Sequence, residues 1–231
     1  MATSIEGRRS TGGQGGQART RLARAAVIRA ARTLFPDRGY AATTIEALSD
    51  LADVPPATVY RLFSSKLGIL KALLDVSIAG DDEAIPLQDR AGARALLADP
   101  DPLRQLSGFA SVCREINSRS ATVYRSLVSA AGSDPEAAAL LAQYTHKRQE
   151  GQGQIARSLA GAGGLRPELK ERDAADIIHA LMSPEVYRLL VGDRGWLPSR
   201  YEQWLRDTLV SQLLPVRAGG PVPSSAPRVR P

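Results

Sequence analysis

The sequence predicts an all-α fold in which a small helical module precedes a larger helical body. Hydrophobic residues make up 43% of the 231 residues, and Ala and Leu, which favour helices, dominate them. Apolar residues recur every three or four positions through most of the chain, which is the spacing of one helix face. No convincing segment alternates apolar and polar residues with a period of two, and no two-residue hairpin turn joins strand-like segments.

Two tails are expected to flank the helical part of the chain. Residues 1–18 include a Gly- and Gln-rich stretch with nothing to bury, so we expect a flexible tail there. Residues 216–231 contain four Pro and two Gly, which preclude a packed helix. The spacing of apolar residues predicts a helical module at residues 19–80 and a larger helical domain at residues 81–215.

The first predicted helix covers about residues 19–35 and is ended by Pro36 and Gly39. Its apolar positions are Leu22, Ala26 or Val27, Ala30 or Ala31, and Leu34 or Phe35.

Two short helices joined by a tight turn are predicted next. Thr44 is a suitable N-cap for the first of them, whose apolar face is expected to be Ile45, Leu48 and Leu51. Residues 53–55 form the turn. Pro56 suits the first turn of the following helix, which ends at Phe63, because the amide that proline lacks would be unpaired there. In that helix Val59, Leu62 and Phe63 are expected to face the core.

The remaining helices are predicted from apolar stripes between Pro, Gly and Ser breaks. A fourth helix at residues 66–79 is capped by Ser64 or Ser65 and has Leu67, Leu70, Leu74 and Ile78 as its stripe. The body helices are expected at about residues 87–98, 102–117, 120–131, 135–159, 172–191 and 199–214. Ser183 followed by Pro184 has the chemistry of a helix restart, so we expect a kink there.

The net charge of +6 is concentrated in the first third of the chain. Residues 1–71 hold 11 Lys or Arg against 5 Asp or Glu, whereas the remainder holds 19 of each. A basic module attached to a neutral body is typical of a nucleic-acid reader with a second function. A basic flexible arm would give the same asymmetry, so the charge alone does not decide between the two readings.

Several function classes are disfavoured by composition. The single Cys113 excludes an intrachain disulfide and a thiolate-rich metal site, and it fits a reducing compartment. No segment reaches the roughly 18 uncharged apolar residues of a membrane helix. The N-terminus lacks the apolar stretch of a signal peptide. We therefore expect a cytoplasmic protein without a membrane partner.

A longer amphipathic helix followed by two short helices and a tight turn is what a helix-turn-helix at residues 44–63 requires. At these residues the chain resembles the N-terminal domain of the TetR family of transcriptional regulators. The residues that carry the resemblance are Ala30, Ala31, Leu34, Phe35, Gly39, Tyr40, Thr43, Thr44, Ile45, Leu48, Leu51, Ala52, Val54, Ala57, Thr58, Val59, Tyr60, Phe63 and Lys66.

The resemblance implies a role for each matching residue in binding double-stranded DNA. Thr44, Tyr60 and Lys66 are expected to contact phosphates. Pro56, Ala57, Thr58 and Arg61 are expected to face base edges in the major groove. The chain departs from the family pattern at Asp53, where a Gly is usual, and at Pro55, where a Ser or Thr usually caps the recognition helix.

A weaker resemblance at residues 183–205 implies that the last two helices, 172–191 and 199–214, pair across a two-fold axis. Their apolar residues suggest more surface than a monomer needs to cover, which predicts a homodimer on a palindromic operator. The residues in question are Ile177, Ile178, Leu181, Val186, Leu189, Leu190, Tyr201, Trp204, Leu205, Leu209 and Leu213. The alternative is that both helices complete the monomer core.

An unknown small-molecule effector is expected in the body, and the resemblance implies that the fourth helix transmits its binding to the DNA module. Helices between residues 102 and 159 carry a mixture of aromatic, soft and polar groups of the kind that lines a mostly apolar pocket. The candidates are Phe109, Cys113, Tyr124, Tyr144 and His146. Each is equally compatible with core packing or surface exposure.

No residue pattern predicts catalysis, a metal or a cofactor. His146 and His179 lack metal-ligand spacing, Cys113 has no partner base, and the Gly-rich 161–164 segment follows a helix without a Lys-Ser or Lys-Thr. The sequence therefore predicts a ligand-responsive transcriptional regulator, expected to be a repressor and not an enzyme. Two alternatives stay open: a helical small-molecule-binding protein with a degenerate helix-turn-helix, and a helical enzyme.

Overall fold

The computed structural model describes residues 12–80 and 90–215, and these ranges are helical without any strand. The predicted all-α class is therefore confirmed. The helices are α1 (Gly12–Ala42), α2 (Ile45–Ala52), α3 (Pro56–Phe63), α4 (Lys66–Ala79), α5 (Ala91–Leu97), α6 (Pro102–Ala131), α7 (Pro135–Gly161), α8 (Glu171–Leu181), α9 (Pro184–Tyr187) and α10 (Pro198–Leu213). The predicted tails at residues 1–11 and 216–231 lie outside the described residues.

Helix α1 is longer at both ends than the sequence predicts. It begins at Gly12, because residues added to an already packed helix each gain a hydrogen bond without a new nucleation cost. It also continues through Pro36 to Ala42, with a kink at Gly39, where φ is 80° and the helical geometry is broken. The core face begins at Val27, and Leu22, predicted to belong to it, is exposed.

The apolar faces of α2 and α4 differ from the predicted stripes. In α2 Leu48 is fully buried, but Leu51 is exposed. The 3.6-residue period explains this difference. Viewed down the helix, Ala52 and Ser49 lie about 40° and about 100° from Leu48 on the side that faces inward, whereas Leu51 lies about 60° from Leu48 on the other side. Helix α4 is buried on several sides and not along one stripe, since it packs against both α1 and α6. Its buried residues are Ile69, Leu70, Ala72, Leu73, Leu74 and Ser77.

A single helix, α6, replaces the two helices expected at residues 102–117 and 120–131. The Asn-Ser-Arg-Ser segment at 117–120 suggested a break, but it contains neither Pro nor Gly. The hydroxyl of Ser120 donates to the carbonyl of Ile116 at 2.8 Å, so it is satisfied inside the helix. The polar residues are therefore accommodated without a break.

The predicted kink at Ser183 and Pro184 is a complete interruption. Met182 and Ser183 are non-helical, and the Ser183 hydroxyl caps α9 by accepting a hydrogen bond from the Val186 amide at 3.2 Å. A π-helical turn at Arg188–Asp193 follows α9 directly. Ser183 and Pro184 start a new helical segment, as the sequence predicts, but α8 and α9 are separate helices and not one kinked helix.

Two hydrophobic clusters form the interior, and α6 contributes to both. The first joins α1 to α4 with the second half of α6 and the start of α7, including Val123, Leu127 and Leu140. The second joins the first half of α6, including Leu106 and Phe109, with the later part of α7, α8 and α10. The helical module at residues 19–80 therefore shares its core with the body.

Part of the apolar surface assigned to dimerisation is used inside the monomer. Ile178 on α8 is fully buried in the second cluster. The same holds on α10 for Tyr201, Leu205, Leu209 and Leu213. Leu189 is half exposed, and the other predicted interface residues are only partly covered: Ile177, Leu181, Val186, Leu190 and Trp204. The monomer-core alternative therefore describes the fully buried residues, and the dimer interface stays a prediction for the partly covered ones.

Among the residues described, no helix is both long enough and apolar enough to cross a membrane.

Candidate nucleic-acid interface

The start of α2 is fixed by two adjacent threonines. The Thr44 hydroxyl accepts a hydrogen bond from the Ala47 amide at 3.1 Å, so Thr44 is the N-cap that the sequence predicts. Thr43 is fully buried, and its hydroxyl donates to the Gly39 carbonyl at 2.8 Å. Thr43 thereby ties the kinked end of α1 to the beginning of α2, and Thr44 is left exposed at a helix N-terminus.

The turn between α2 and α3 is built by Asp53 and by a serine that the sequence analysis missed. Asp53 has φ 51° and ψ 45°, the left-handed conformation that Asp tolerates better than most residues. The Val54 amide donates to the Ser49 carbonyl at 3.1 Å, and the buried Ser49 hydroxyl donates back to the Val54 carbonyl. These paired bonds hold the turn, so Asp53 replaces the usual Gly without loosening it.

Helix α3 presents a narrow exposed face. Val59 is fully buried and Phe63 nearly so, as predicted. Pro56, Ala57, Tyr60 and Arg61 are exposed. Thr58, expected to face outward, is only half exposed.

Pro55 occupies the N-cap position of α3 without a side-chain hydrogen bond. Its carbonyl accepts from the amides of Thr58 and Val59 at 2.9 and 3.1 Å. The first turn is therefore closed by a backbone oxygen. The start of this helix offers fewer free amides to a phosphate than one capped by Ser or Thr, because Pro55 and Pro56 lack an N–H.

Lys66, expected at a phosphate, lies between α4 and the end of α1. Its Nζ donates to the carbonyls of Tyr40 at 2.8 Å and Ala41 at 3.3 Å, and it lies 4.4 Å from the centre of the Tyr40 ring. Partial burial lowers the pKa of the ammonium, and the charge of Asp134 opposes that shift. Two of its three donors are therefore directed at α1.

Gly68 allows α4 to approach the end of α3 closely. A Cβ at this position would lie 1.9 Å from the carbonyl oxygen of Phe63. The Gly68 amide is also capped by the Ser65 hydroxyl at 3.1 Å. Opposite, the Arg24 guanidinium lies 5.1 Å from the centre of the Phe63 ring. A Gly inside a predicted helix, where Gly is unfavourable, was the sequence signal for this close contact between α3 and α4.

The same region contains an open depression of about 230 Å³ between α1, α3 and α4. Its lining is Arg24, Leu62, Phe63, Ser64, Gly68, Lys71, Ala72 and Asp75. It lies beside α3. None of the predicted effector residues lines it, but the Tyr144 hydroxyl donates to Asp75 in its lining.

Residues 27–73 match the sequence model described as bacterial regulatory proteins of the tetR family. This match covers α2 and α3 completely, and with them the cap, the turn and the exposed face described above. Over this module the chain is similar to the TetR family.

Curated relatives agree with this assignment. The chain is 29% identical over 155 residues to the HTH-type transcriptional regulator TcmR of Streptomyces glaucescens, a match that covers 64% of each protein. It is 24% identical over 195 residues to the uncharacterized HTH-type transcriptional regulator YdeS of Bacillus subtilis strain 168, covering 84% of this chain and 89% of YdeS. The match to TcmR thus spans less than two thirds of that protein.

Solved structures show the same fold. NalD, the secondary repressor of the MexAB-OprM multidrug efflux pump in Pseudomonas aeruginosa, superposes with a TM-score of 0.64 at 20% identity, over 87% of this chain and 100% of NalD. A gamma-butyrolactone receptor described as an ArpA-like protein superposes with a TM-score of 0.59 at 19% identity, over 86% and 91%. Both superpositions include the body as well as the helix-turn-helix module.

The five predicted effector residues do not form one group in the structure. Phe109 and Cys113 are buried one turn apart on α6, in the second hydrophobic cluster. Tyr124 and Tyr144 pack against the first cluster. His146 is largely exposed and lies 3.3 Å from the Glu150 carboxylate on its own helix. The surface reading of His146 therefore describes this structure better than a pocket-lining role.

Cys113 lies in a small polar group inside the body. Its Sγ accepts from the Asn117 amide at 3.2 Å and lies 3.6 Å from the Tyr201 hydroxyl. Burial raises the pKa of the Cys113 thiol to about 12, and the nearby charge of Arg148 only partly opposes this shift. Such a thiol is protonated at neutral pH and is not a nucleophile.

Tyr144 lies at the boundary between the body and α4. Its hydroxyl donates to the Asp75 carboxylate, which also pairs with Lys71 at 2.7 Å. Near the C-terminal end of α4, Arg119 on α6 donates to the carbonyls of Ser77 at 3.1 Å and Ile78 at 3.3 Å. Hydrogen bonds therefore connect α4 to both α6 and α7, in addition to the packing of its apolar side chains.

The sequence analysis missed a half-buried arginine in the body. Arg148 on α7 donates through Nη2 to His179 on α8 at 3.2 Å. His179 Nδ1 in turn lies 2.7 Å from Oε1, the side-chain amide oxygen of Gln152. The spacing of Arg148 and Gln152, four residues apart, was the available signal, because it places both on one face of α7. Within the described ranges no group of His, Cys, Asp and Glu has the arrangement of a metal site.

Proposed function

We propose that the protein is a ligand-responsive transcriptional regulator that binds a palindromic operator as a homodimer and leaves it when a small molecule binds the body. The observation that carries the proposal is the exposed face of α3. Ala57, Tyr60 and Arg61 project from a helix whose opposite face is locked by Val59 and Phe63. A short rigid helix with exposed polar side chains is suited to the major groove, which is about 12 Å wide.

The residues of the module divide into two sets in this proposal. Thr44 and Tyr60 contact phosphates, and Lys66 contributes its remaining donor to a phosphate while its other two hold α1. Arg61 is placed to bind a guanine through two parallel hydrogen bonds. Pro56, Ala57 and Thr58 provide van der Waals contacts and one hydroxyl to the base edges.

The dimer is proposed to form through the partly covered faces of α8, α9 with its π-helical turn, and α10. Leu189 is half exposed there, and Trp204 is only partly buried. A two-fold axis at this surface presents the two α3 helices to half-sites about 34 Å apart, one turn of DNA. A monomeric mass by light scattering at micromolar concentration would contradict this part of the proposal.

Helix α4 is the proposed route from the effector to the DNA. It begins at Lys66, beside the recognition helix. Tyr144 of the body contacts its middle at Lys71 and Asp75, and Arg119 holds its far end. A ligand that rearranges α6 or α7 therefore changes the position of α4 and the separation of the two α3 helices. Linkage requires the DNA to weaken ligand binding by the same factor as the ligand weakens DNA binding, typically about 5- to 150-fold.

The test begins by selecting DNA fragments with the full chain from a random pool. Affinity for the selected site is then measured by fluorescence anisotropy as a function of salt. Six or more phosphate contacts predict a loss of about 10³-fold or more between 50 and 200 mM salt. A flat salt dependence would contradict the phosphate assignments.

Three variants separate the roles of the positive charges. Lys66→Ala should weaken binding to all sequences about equally, and Arg61→Ala should relax the preference at one base position. Arg94→Ala is the matched control, because Arg94 is exposed on α5, outside the helix-turn-helix. If the protein selects no DNA but binds small molecules, the degenerate helix-turn-helix alternative, favoured by the uncapped Pro55, replaces this proposal.

The proposal places the protein in the cytoplasm, where its DNA lies, and gives it no catalytic role. Turnover of a bound metabolite by the purified protein would contradict the second statement.

A further inference from the structure

Among the described residues of the body, the guanidinium of Arg148 stands out because two of its nitrogens lack a hydrogen-bond partner. Its Nε and Nη1 atoms are shielded from solvent and have no hydrogen-bond partner. The side chain as a whole is 22% exposed, so one edge of the site is open. Leaving buried N–H donors of a charged group unpaired is costly, and a native structure that keeps them calls for an explanation.

The side chain that shares a hydrogen bond with Arg148 is neutral. The Gln152 carbonyl oxygen can only accept, so His179 Nδ1 carries the proton and donates to it at 2.7 Å. His179 Nε2 then accepts from Arg148 Nη2 at 3.2 Å. Burial lowers the pKa of His179, and the charge of Arg148 lowers it further, which agrees with the neutral ring. The histidine therefore orients the guanidinium without compensating its charge.

Within the described ranges, the carboxylate paired with Arg148 is a poor partner. Glu185 Oε2 lies 3.6 Å from Nη1, which is too far for a hydrogen bond, and its side chain is 56% exposed. Glu185 belongs to the first turn of α9, on the solvent side of the group. A carboxylate in this position is easily exchanged for another one.

The side chains around the guanidinium suit a ligand that has an apolar or aromatic part next to its negatively charged group. The ring of Tyr124 on α6 has its centre 6.0 Å from the guanidinium carbon. The charge of Arg148 also reaches Cys113, at the centre of the polar group that includes Tyr201. An aromatic side chain therefore lies near the charged anchor, and a soft one lies within reach of its charge.

From this arrangement we propose that Arg148 anchors the effector, and that the effector is a monocarboxylate with an apolar or aromatic body. The inference rests on the proposed function, because it assigns a chemical class to the ligand of that regulator. The effector carboxylate takes the place of Glu185 and pairs with Nε and Nη1, while Glu185 returns to water. One guanidinium beside a neutral histidine compensates one negative charge, which favours a carboxylate over a phosphate dianion.

The test measures binding to the full chain without DNA, by isothermal titration. The probes are benzoate, phenylacetate and octanoate, each compared with its primary amide, together with inorganic phosphate. We expect at least one carboxylate to bind saturably with one site per chain, and its amide to bind at least tenfold more weakly. Failure of all three carboxylates to bind, or tighter binding of phosphate, would overturn the proposal.

Three variants make the test specific for Arg148. Arg148→Met should abolish carboxylate binding and still fold, because exchanging an unsatisfied buried charge for an apolar side chain is commonly tolerated. Lys147→Met removes the same charge from the neighbouring, exposed position and should bind like the unmodified chain. Glu185→Gln removes the competing carboxylate and should tighten binding several-fold, whereas a purely structural ion pair predicts no such gain.

The outcomes distinguish this inference from the proposed function. Carboxylate binding that Arg148→Met leaves intact would refute the anchor, even if operator binding is confirmed. Carboxylate binding that depends on Arg148, in a protein that selects no DNA, would support the anchor and refute the regulator.

Discussion

Replacing Gly68 by Ala tests how closely α4 must approach the recognition helix. The added Cβ would lie 1.9 Å from the Phe63 carbonyl oxygen, about 1.5 Å inside ordinary van der Waals contact. That oxygen is already fixed, because it accepts a hydrogen bond from the Ser65 amide at 2.7 Å. The clash therefore has to be relieved by moving the backbone of α3 or α4 and not by rotating a side chain.

The magnitude follows from two opposing effects. Overpacking against backbone costs about 2 to 3 kcal/mol, at the upper end of the usual range. Ala recovers up to about 1 kcal/mol through its better helix propensity. The net destabilisation of about 1 to 2 kcal/mol should lower the melting temperature by about 3 to 6 °C for a chain of this size.

Circular dichroism melting of Gly68→Ala and of Gly92→Ala provides the measurement and its control. Gly92 is exposed on α5, and a Cβ there would meet nothing within 4 Å, so its substitution should leave the melting temperature unchanged or slightly raised. The affinity of Gly68→Ala for a selected operator should fall as well, because α3 is displaced from α4. A melting temperature of Gly68→Ala equal to or above that of the unmodified chain would refute the close-approach argument.

Three further changes address other parts of the structure. Thr44→Ala removes the α2 cap and should cost about 1 kcal/mol, seen as a melting temperature about 2 to 4 °C lower, while Thr44→Ser should melt normally. Arg119→Met removes two charged hydrogen bonds near the end of α4 and should cost about 1 to 2 kcal/mol by the same assay. The raised pKa of Cys113 means that only the unfolded chain ionises this thiol above its ordinary pKa of 9.0. The free energy of unfolding in urea should therefore fall as pH rises from 8 to 10, less steeply in Cys113→Ser, and an identical slope in both would contradict the buried-thiol assignment.

Local chemistry accounts for the parts of the fold that the sequence predicts well. The Thr44 cap, the Pro56 start and the Ser183 cap depend on side chains and amides a few residues apart. They can therefore be predicted without knowledge of the tertiary structure. The exposed residues Tyr60 and Arg61 follow from the helical period of α3 once Val59 and Phe63 are placed in the core.

Contacts between distant segments account for the parts that it misses. Helix α4 is buried on several sides because α1 and α6 both pack on it, and no stripe in residues 66–79 reveals two partners. The sequence predicts a helix break just before Ser120, but the Ser120 hydroxyl donates to the Ile116 carbonyl inside a continuous helix. The unpaired donors of Arg148 exist only because α7 and α8 meet, so the candidate effector anchor could not be found from spacing alone.

The length of α6 has a consequence for how such regulators exchange their DNA-binding parts. Its 30 residues span about 45 Å and supply side chains to both hydrophobic clusters. A chimera joined at residue 80 would place a foreign α4 against Val123 and Leu127, side chains selected for a different surface. A chimera that keeps this core intact must therefore transfer α1 to α4 together with the second half of α6. If the proposed function is correct, we expect the substitution of exposed residues such as Ala57 and Arg61 to change the operator preference more readily than transplanting the module does.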